Sequence, residues 1–351
     1  MPINVAQVFD TAGIPDYGAM FKQARADITL TKRMCRTENE IIEAARNADA
    51  VICAATLQPM SRRVLEALPR CRFVQSLGIG YEGVDIAAAT ELGIMVANVP
   101  DYCIEEVSDH TMALILNCTR KITDLNAAVK SGKWDRQPCP YFQQNIWPRM
   151  ARLRGMTLGL VGFGRIPQAV VPKARAFGLR IIACDPYAPQ TAFDAAQVES
   201  FDLDRLLKES DFVSLHAPLT EKTHGLIGRE QLRKFKPTAY LINTARGPLV
   251  DTKALYDCLK DGVLAGAALD VVEPEPIDID NPLVKLDNVV ITAHSGAASP
   301  AAMMEMFNRP GQEMVNVLVK GEWPRGLVNP QVKDVYREKW VNPKIGGQGI
   351  D

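Results

Sequence analysis

Residues 156–185 read MTLGLVGFGRIPQAVVPKARAFGLRIIACD, and this stretch decides the fold. The short apolar run at 157–161 predicts a buried strand. Gly162 and Gly164 follow it, where the chain must turn sharply into a helix. A second apolar run at 179–184 predicts the next strand. This order of strand, glycine turn, helix and strand predicts a βαβ unit.

The βαβ unit predicts a dinucleotide site. Its glycines let the backbone approach a pyrophosphate, and a helix starting at Arg165 and Ile166 offers N–H groups and the positive end of its dipole to the phosphates. Asp185 ends the unit, where a carboxylate accepts from a ribose 2′-hydroxyl and repels a 2′-phosphate. The sequence therefore favours NAD(H) over NADP(H). Pro167 replaces the usual third glycine of the motif, which predicts a slightly wider pocket.

Length and composition predict a soluble protein of two domains. The chain has 351 residues, is 47% hydrophobic and carries a net charge of −1, so it has enough apolar residues for a large core. Basic residues are spread along the chain, which argues against nucleic acid and an anionic membrane as partners. Neither a secretory leader nor a run long enough to span a bilayer is apparent, and we therefore predict a cytoplasmic location.

Cysteine and histidine usage argues against a metal centre. The eight cysteines form no CxxC pair, and several fall within apolar patterns, which predicts reduced thiols in the core. The four histidines lie at positions 110, 216, 224 and 294. None stands at ligand spacing with a second histidine or a cysteine, so we expect no metal.

The N-terminal part predicts a second, smaller parallel sheet. A strand at residues 3–9 begins an alternation of strands and helices with about 3–4 strands, and the short run IMVANV follows. The stretch LGIGYEGVDI comes after one of these strands. Its residues Leu77, Gly78, Ile79 and Gly80 are predicted to bind a small carboxylate through backbone N–H groups, with a plain turn as the alternative.

Two further segments give weaker expectations. The helical periodicity from Asp101 to Lys130 predicts one long amphipathic helix that bridges domains or subunits. Residues 134–149, rich in aromatic residues and proline, predict an irregular loop. We hypothesise that Tyr141, Phe142 and Trp147 of this loop shape the size of the substrate.

Four predicted strands of the central region end in polar residues. These ends are His216, residues 244–246, residues 270–275 and His294. Parallel strands end at one edge of a sheet, so we expect them to converge beside the glycine turn. Cofactor contacts are predicted there from His216, Ala217, Pro218, Thr223, Thr244, Ala245, Asp270 and Gly296.

An arginine, a carboxylate and a histidine beside a nicotinamide suit hydride transfer on a 2-hydroxy acid. Arg246 can hold the substrate carboxylate and carbonyl oxygen in its planar fork. His294 can give a proton to the carbonyl or take it back. Glu275 can orient the imidazole, and Glu273 competes for that role. Single residues of these types are usually structural, but their joint placement favours catalysis.

These motifs together resemble the D-isomer-specific 2-hydroxyacid dehydrogenases, from about residue 45 to 330. The stretches that carry the resemblance are LGIGYEGVDI, NVPDYCIEEVSDHTMALIL, GLVGFGRIP, SLHAPLT, INTARGPLVD, AALDVVEPEP and ITAHSG. The resemblance implies the catalytic residues Arg246, Glu275 and His294, a D-configured substrate and a homodimer.

The resemblance also implies the fold, namely α/β with two doubly wound parallel-sheet domains. The expected substrate domain is flavodoxin-like and discontinuous, at 1–100 and 301–330. A Rossmann-type NAD domain is expected at 101–300, with a polar tail at 331–351.

Within the family, VPDYCIEEVSDH, RLRGMTLGLVGFGRIP and the PEP segment most resemble the C-terminal-binding proteins. Those relatives are NAD-sensing corepressors, which supplies an alternative function with little or no turnover. The tryptophan found shortly after the active-site histidine in those proteins is absent here, which favours an enzyme. Formate dehydrogenases carry glutamine where Glu275 stands, so formate is not expected as the substrate.

Overall fold

The structure is a computed structural model that describes residues 2–341. The chain divides into two compact units. The first unit comprises residues 2–102 and 299–341, and the second unit comprises residues 103–298. Among the described residues, no helix has both the length and the apolar composition that a membrane span requires.

The first unit contains a five-stranded parallel sheet in the order β2-β1-β3-β4-β5. The strands are β1 (Ile3–Gln7), β2 (Ile28–Lys32), β3 (Ala50–Cys53), β4 (Phe73–Ser76) and β5 (Met95–Ala97). The intervening helices are α1 (Tyr17–Gln23), α2 (Glu38–Ala45), α3 (Arg62–Glu66) and α4 (Ile86–Glu91). This is the flavodoxin-like strand order, which confirms the predicted fold class, and the short strand β5 completes the sheet.

Side-chain caps fix where the helices of this sheet begin. Each N-cap side chain accepts a hydrogen bond from the first turn, which satisfies an N–H group that the helix leaves unpaired. The caps of α1 to α4 are, in order, Asp16, Thr37, Ser61 and Asp85. Thr37 forms a full capping box with Glu40. The helices therefore start at fixed residues after the strand-end loops.

The second unit contains a seven-stranded parallel sheet in the order β12-β11-β10-β9-β6-β7-β8. The strands are β6 (Thr157–Val161), β7 (Arg180–Cys184), β8 (Glu199–Ser200), β9 (Phe212–Leu215), β10 (Tyr240–Asn243), β11 (Gly266–Leu269) and β12 (Val289–Ile291). The helices are α5 (Ile104–Arg120), α6 (Ile122–Lys130), α7 (Pro140–Asn145), α8 (Arg165–Ala176), α9 (Gln190–Ala196), α10 (Leu203–Glu209), α11 (Arg229–Leu232) and α12 (Thr252–Lys260). Counted from β6, this is the Rossmann order 3-2-1-4-5-6 with one added strand, which confirms the prediction.

Strand residues alternate between two apolar cores, one on each face of the seven-stranded sheet. Leu158 and Leu160 of β6 pack on one face, and Val213 and Leu215 of β9 pack on the other. All eight cysteines are free thiols, and all except Cys184 are buried. Burial on both faces explains why the strands read as continuous apolar runs.

The predicted single helix over 101–130 is wrong. Helix α5 ends at Arg120 and α6 begins at Ile122, because Lys121 adopts a left-handed backbone with φ +53°. The Asn117 side chain stabilises the break, since its Oδ1 accepts the Thr123 N–H at 3.0 Å and its Nδ2 donates to the Thr123 hydroxyl at 3.1 Å. The second segment therefore starts a new helix.

The segment 134–149 is more ordered than predicted. It contains α7 and a 3-10 turn at Trp147–Arg149. Phe142 is buried in a small cluster with Ala128 of α6 and Ile146, whereas Tyr141 and Trp147 are exposed. Phe142 therefore supports this segment, and only the two exposed aromatic residues remain candidates for shaping a substrate.

Residues after the second unit return to the first sheet. Helix α13 (Pro300–Leu318) and helix α14 (Val332–Tyr336) belong to the first unit. Val332 and Tyr336 are buried in its core, and Trp340 donates from Nε1 to the Gly93 carbonyl at 2.7 Å. The predicted polar tail at 331–351 is thus wrong as far as Val341. The rest of it lies outside the described residues.

Candidate active site

The glycine turn after β6 has the form that a dinucleotide requires. Gly162 has φ +94°, and a Cβ there would lie 2.8 Å from the backbone nitrogen of Ala217. Only glycine suits this backbone and this close approach. Gly164 caps α8, and a Cβ added to it would meet no atom within 4 Å. The turn therefore leaves open space directly before a helix N-terminus, where phosphates bind.

Asp185 follows β7 and is tied to the same turn. Its Oδ2 accepts the Phe163 N–H at 2.8 Å, and its Oδ1 accepts the Tyr187 N–H at 2.9 Å. Each carboxylate oxygen keeps capacity for a further donor such as a ribose hydroxyl. Pro167, in place of the third glycine, is buried in α8 beside the sheet. These residues fit the ribose and pyrophosphate of a dinucleotide.

The loop after β9 faces Gly162 and has a neutral histidine. His216 donates its backbone N–H to the Val161 carbonyl at 2.7 Å, and its Nε2 lies 2.9 Å from the Ser214 hydroxyl. Burial lowers the pKa of His216 to about 3, so the ring is uncharged at neutral pH. The Thr223 hydroxyl donates to the Pro218 carbonyl at 2.6 Å, which closes the loop on itself.

Side-chain hydrogen bonds hold the loop after β10, which carries the arginine. Asn243 accepts the Ala245 N–H at 3.0 Å and donates from Nδ2 to the Arg246 carbonyl at 2.9 Å. Arg246 donates from Nη1 to the Ala245 carbonyl at 2.7 Å. The Thr244 hydroxyl lies 3.1 Å from that of Thr111 on α5. The guanidinium thus stands on a loop braced by a strand residue and a helix.

Glu275, and not Glu273, contacts the histidine that follows β12. His294 Nδ1 lies 2.8 Å from Glu275 Oε2, and the Val272 N–H donates to Oε1 at 3.0 Å. No residue among 2–341 hydrogen-bonds His294 Nε2, so this nitrogen is left for a substrate. The contact is made by Glu275, the residue that the family resemblance implied, and not by Glu273.

His294 also has an uncommon backbone. Its φ is +50°, in the left-handed region that costs a non-glycine residue about 1–3 kcal/mol. Its N–H donates to the Asp270 carbonyl at 2.8 Å. Surrounding hydrogen bonds must therefore hold this histidine in place.

Asp270 supplies most of those hydrogen bonds. This carboxylate is 4% exposed, and it accepts the N–H groups of Ser295 and Gly296, each at 2.9 Å, and the Thr292 hydroxyl at 2.6 Å. His110 Nε2 of α5 lies 3.4 Å away. Although burial opposes ionisation, these donors lower the pKa of Asp270 to about 2. Asp270 was predicted beside the cofactor, and it also acts as a clamp on the segment that carries His294.

A cavity of about 360 Å³ opens at this edge of the sheet. It is lined by Asp270, Val272, Glu275, Pro276, Ile277, Ile291, Thr292, Ala293 and His294. Two of the four predicted strand ends, residues 270–275 and His294, meet in this cavity. Sequence reasoning missed His110, Thr292 and Ser295. The pattern SDH in the middle of an apolar helix was the available signal for His110. Within the described residues, no group of three or more His, Cys, Asp and Glu side chains is arranged to hold a metal ion.

The loop after β4 in the first unit has its carbonyls engaged and its N–H groups available. The carbonyls of Gly78, Ile79 and Gly80 accept, in order, from the Val99 N–H (2.8 Å), Asn98 Nδ2 (2.7 Å) and Ser76 Oγ (2.8 Å). None of residues 2–341 accepts the N–H groups of these three. The Leu77 N–H differs, because it donates to the Cys53 carbonyl at 2.8 Å. Three successive free N–H groups are a suitable site for an anion.

Known proteins resemble this chain over most of its length. The family model described as D-isomer specific 2-hydroxyacid dehydrogenase, NAD binding domain, matches residues 112–296. A glyoxylate reductase from Korarchaeum cryptofilum is 39% identical over 334 residues, which cover 94% of this chain and 97% of that protein.

Solved structures give the same result. D-lactate dehydrogenase from Aquifex aeolicus, complexed with NAD and lactic acid, has a TM-score of 0.75 at 27% identity, covering 91% of this chain and 96% of that chain. An acyclic imino acid reductase in complex with NADPH and D-arginine has a TM-score of 0.79 at 26% identity, covering 93% of this chain and 100% of the other. Neighbours of this fold therefore use either nicotinamide cofactor.

Proposed function

Since the chain belongs to the D-isomer-specific 2-hydroxyacid dehydrogenase family, we propose that it interconverts a D-2-hydroxy acid and its 2-oxo acid, chiefly as a 2-oxo acid reductase. The observation that carries this proposal is the 2.8 Å contact between His294 Nδ1 and Glu275 Oε2, on the sheet edge that also bears Arg246. The pair supplies a proton donor whose tautomer is fixed. NAD(H), when bound, supplies or accepts the hydride.

The residues of this chain have separate tasks in the proposed reaction. His294 gives the proton on Nε2 to the substrate carbonyl oxygen during reduction, and takes it back during oxidation. Glu275 accepts the Nδ1–H and stabilises the imidazolium. Arg246 binds the carboxylate and the carbonyl oxygen in its fork, which stabilises the developing negative charge.

In the first unit, we propose that the N–H groups of Gly78, Ile79 and Gly80 bind the substrate carboxylate. The support is that their carbonyls are already hydrogen-bonded, which holds the three N–H groups in one arrangement. A site formed by backbone N–H groups recognises the carboxylate and not the rest of the acid. The size of the acid is then set by other side chains, for which exposed Tyr141 and Trp147 remain proposals.

For the cofactor, we propose a preference for NAD(H) over NADP(H). Asp185 supports it, because a carboxylate at the end of β7 repels a 2′-phosphate. We expect Asp185→Ser to reduce the ratio of kcat/KM for NADH to that for NADPH by about tenfold or more. The matched control is Asp194→Ser, on the exposed side of α9. An unchanged ratio in the Asp185 variant contradicts the assignment.

NADH oxidation by the purified protein tests the proposed function. The panel of acids comprises glyoxylate, hydroxypyruvate, pyruvate, phenylpyruvate, 2-oxoglutarate and bulkier aromatic 2-oxo acids. We expect turnover with at least one of them, and its loss in Arg246→Ala. If NADH binds and no acid is reduced, the enzyme proposal fails. The cofactor-sensing function of the C-terminal-binding-protein branch then becomes the leading one.

We also propose that the protein is a cytoplasmic homodimer. The second unit exposes apolar side chains on α6 and the segment after it, namely Ile122, Val129 and Trp134. Exposed apolar groups of this kind favour a protein partner, and a second copy fits the family. Sedimentation equilibrium is expected to give twice the 38.6 kDa chain mass.

A further inference from the structure

His110 of α5 takes part in a hydrogen-bonded chain that ends at the segment carrying His294. Its Nε2 lies 2.9 Å from the Thr292 hydroxyl and 3.4 Å from Asp270 Oδ1. The imidazole is 23% exposed, and a Cβ added to Gly296 would lie 3.3 Å from its Cδ2. The imidazole of His110 therefore packs against the segment after β12.

The geometry shows which atoms of this hydrogen-bonded chain carry the hydrogens. The Thr292 hydroxyl has one hydrogen, which it donates to the ionised Asp270 at 2.6 Å. The hydroxyl oxygen can then only accept from His110, so His110 Nε2 carries a proton. The same nitrogen also lies 3.4 Å from Asp270 Oδ1, so the carboxylate stands beside the donor.

The hydrogen bonds from His110 through Thr292 to Asp270 reach the segment that carries His294, and the backbone of this segment needs support. His294 has φ +50°, and the two residues after it, Ser295 and Gly296, are held by their N–H bonds to Asp270. The orientation of the Asp270 carboxylate therefore sets the path of the backbone at His294. Thr292 in turn donates to that carboxylate, and His110 contacts the Thr292 hydroxyl.

We propose that His110 is a positioning residue for the proton transfer of the family reaction. It donates from Nε2 to Thr292, which in turn donates to Asp270, and through this clamp it keeps His294 Nε2 aligned with the substrate carbonyl. The inference rests on the proposed function, since it concerns the efficiency of the same proton transfer. It assigns to His110 no contact with the substrate or the cofactor.

The test compares His110→Leu with His110→Gln. Leucine removes the N–H donor, whereas the glutamine amide can place a donor near the position of Nε2. We expect His110→Leu to lower kcat by about 10- to 100-fold, with the KM of the 2-oxo acid and the Kd of NADH changed less than about threefold. The solvent deuterium isotope effect on kcat should rise, because misaligned proton transfer becomes rate-limiting. His110→Gln should recover most of kcat and restore the isotope effect.

His224→Leu is the matched control, because it replaces an exposed histidine of the same unit. It should leave kcat and the isotope effect unchanged. An unchanged kcat in His110→Leu overturns the inference, as does an equal loss in the leucine and glutamine variants. A wild-type protein that reduces no 2-oxo acid is a different result, since it rejects the proposed function itself.

Thr292→Val tests the same chain without altering His110. It keeps the side-chain shape and removes the hydroxyl, so it serves if His110→Leu fails to fold. We expect the isotope effect to rise as in His110→Leu. The double variant that combines His110→Leu with Thr292→Val should have a kcat no lower than that of the less active single variant. The inference is overturned if the fold losses in kcat of the two single variants multiply in the double variant, or if the isotope effect is unchanged in Thr292→Val.

Discussion

The two parallel sheets are built alike and differ in what their carboxyl edges carry. At that edge the seven-stranded sheet bears His216, Arg246, Asp270 and His294 in four adjacent loops. The five-stranded sheet bears at one of its loops a set of backbone N–H groups at Gly78–Gly80. All four histidines of the chain lie in the second unit. The shared fold fixes where a ligand can bind, and the loop residues decide whether chemistry occurs there.

The difference also extends to the hydrogen bonds behind each edge. In the second unit, the buried, ionised Asp270 accepts the two N–H groups that follow His294, a residue with a left-handed backbone. In the first unit, the donors Asn98 and Ser76 are neutral and hold only carbonyl groups. We therefore expect changes in the second unit to affect turnover, and changes in the first unit to affect substrate affinity or stability.

The largest effect is expected at the proton donor of the second unit. His294→Gln removes the imidazole that is held by Glu275 and that donates the proton in the proposed reaction, so kcat should fall at least about 100-fold. The Kd of NADH should change less than about twofold, because the glycine turn is untouched. Stopped-flow turnover and NADH fluorescence titration measure the two quantities. Retained turnover would mean that another group supplies the proton.

A pH effect on stability is expected from His216 of the second unit. The unfolded chain protonates His216 near pH 6.5, whereas in the folded state burial lowers the pKa of His216 to about 3. Protons therefore favour unfolding as the pH falls below 6.5, by about 1.4 kcal/mol per pH unit. Relative to His216→Gln, the wild type should lose about 2 kcal/mol between pH 7 and pH 5 in urea unfolding.

The exposed His224 supplies the control for this pH effect. His224→Gln should follow the wild type, because its ring is in contact with solvent in both states. Equal pH dependence in the wild type and His216→Gln contradicts the burial of His216 as a neutral ring.

A smaller effect is expected from the loop at Gly78–Gly80 of the first unit. Asn98→Ala removes the donor that holds the Ile79 carbonyl at 2.7 Å, so the loop loosens. The KM of the 2-oxo acid should rise about tenfold with kcat changed less than about twofold. Asn39→Ala, at a surface amide that bonds Arg63, is the control. A fall in kcat at unchanged KM would mean that the two edges are not separated in function.

The smallest effect is expected at the segment that closes the first unit. Trp340→Phe keeps most of the ring packing and removes the Nε1–H bond to the Gly93 carbonyl. The free energy of unfolding should fall by about 1 kcal/mol, measured by urea unfolding, with kcat and KM unchanged. Altered kinetics at unchanged stability would contradict a purely structural role for this segment.

The sequence predicted the features that depend on local pattern. Gly162, Gly164 and Asp185 lie on one βαβ unit, and apolar runs bounded by polar residues gave the strands of both sheets. Because the strands of a sheet are parallel, their carboxyl ends lie at one edge although they are distant in sequence. The residue pattern alone left Glu273 as a competitor of Glu275, because both follow the same strand within a few residues. The family resemblance favoured Glu275, and the fold of the loop brings Glu275 to His294.

The features that the sequence missed depend on contacts between distant residues. Thr292 and His110 are 182 residues apart, and nothing near His110 indicates its partner. The break at Lys121 has no glycine or proline to signal it, since the Asn117 side chain holds the turn. Val332 and Tyr336 look like part of a polar tail until the first sheet buries them.

We propose that a hydride passes between C4 of NADH and C2 of the acid at the carboxyl edge of the seven-stranded sheet. The direct measurement uses NADH with both C4 hydrogens replaced by deuterium and the fastest-reduced 2-oxo acid that has a carbon side chain, with mass spectrometry and chiral analysis of the product. We predict deuterium on C2 of a D-configured 2-hydroxy acid. Bound NADH without a deuterated product, or a product of L configuration, would contradict the account.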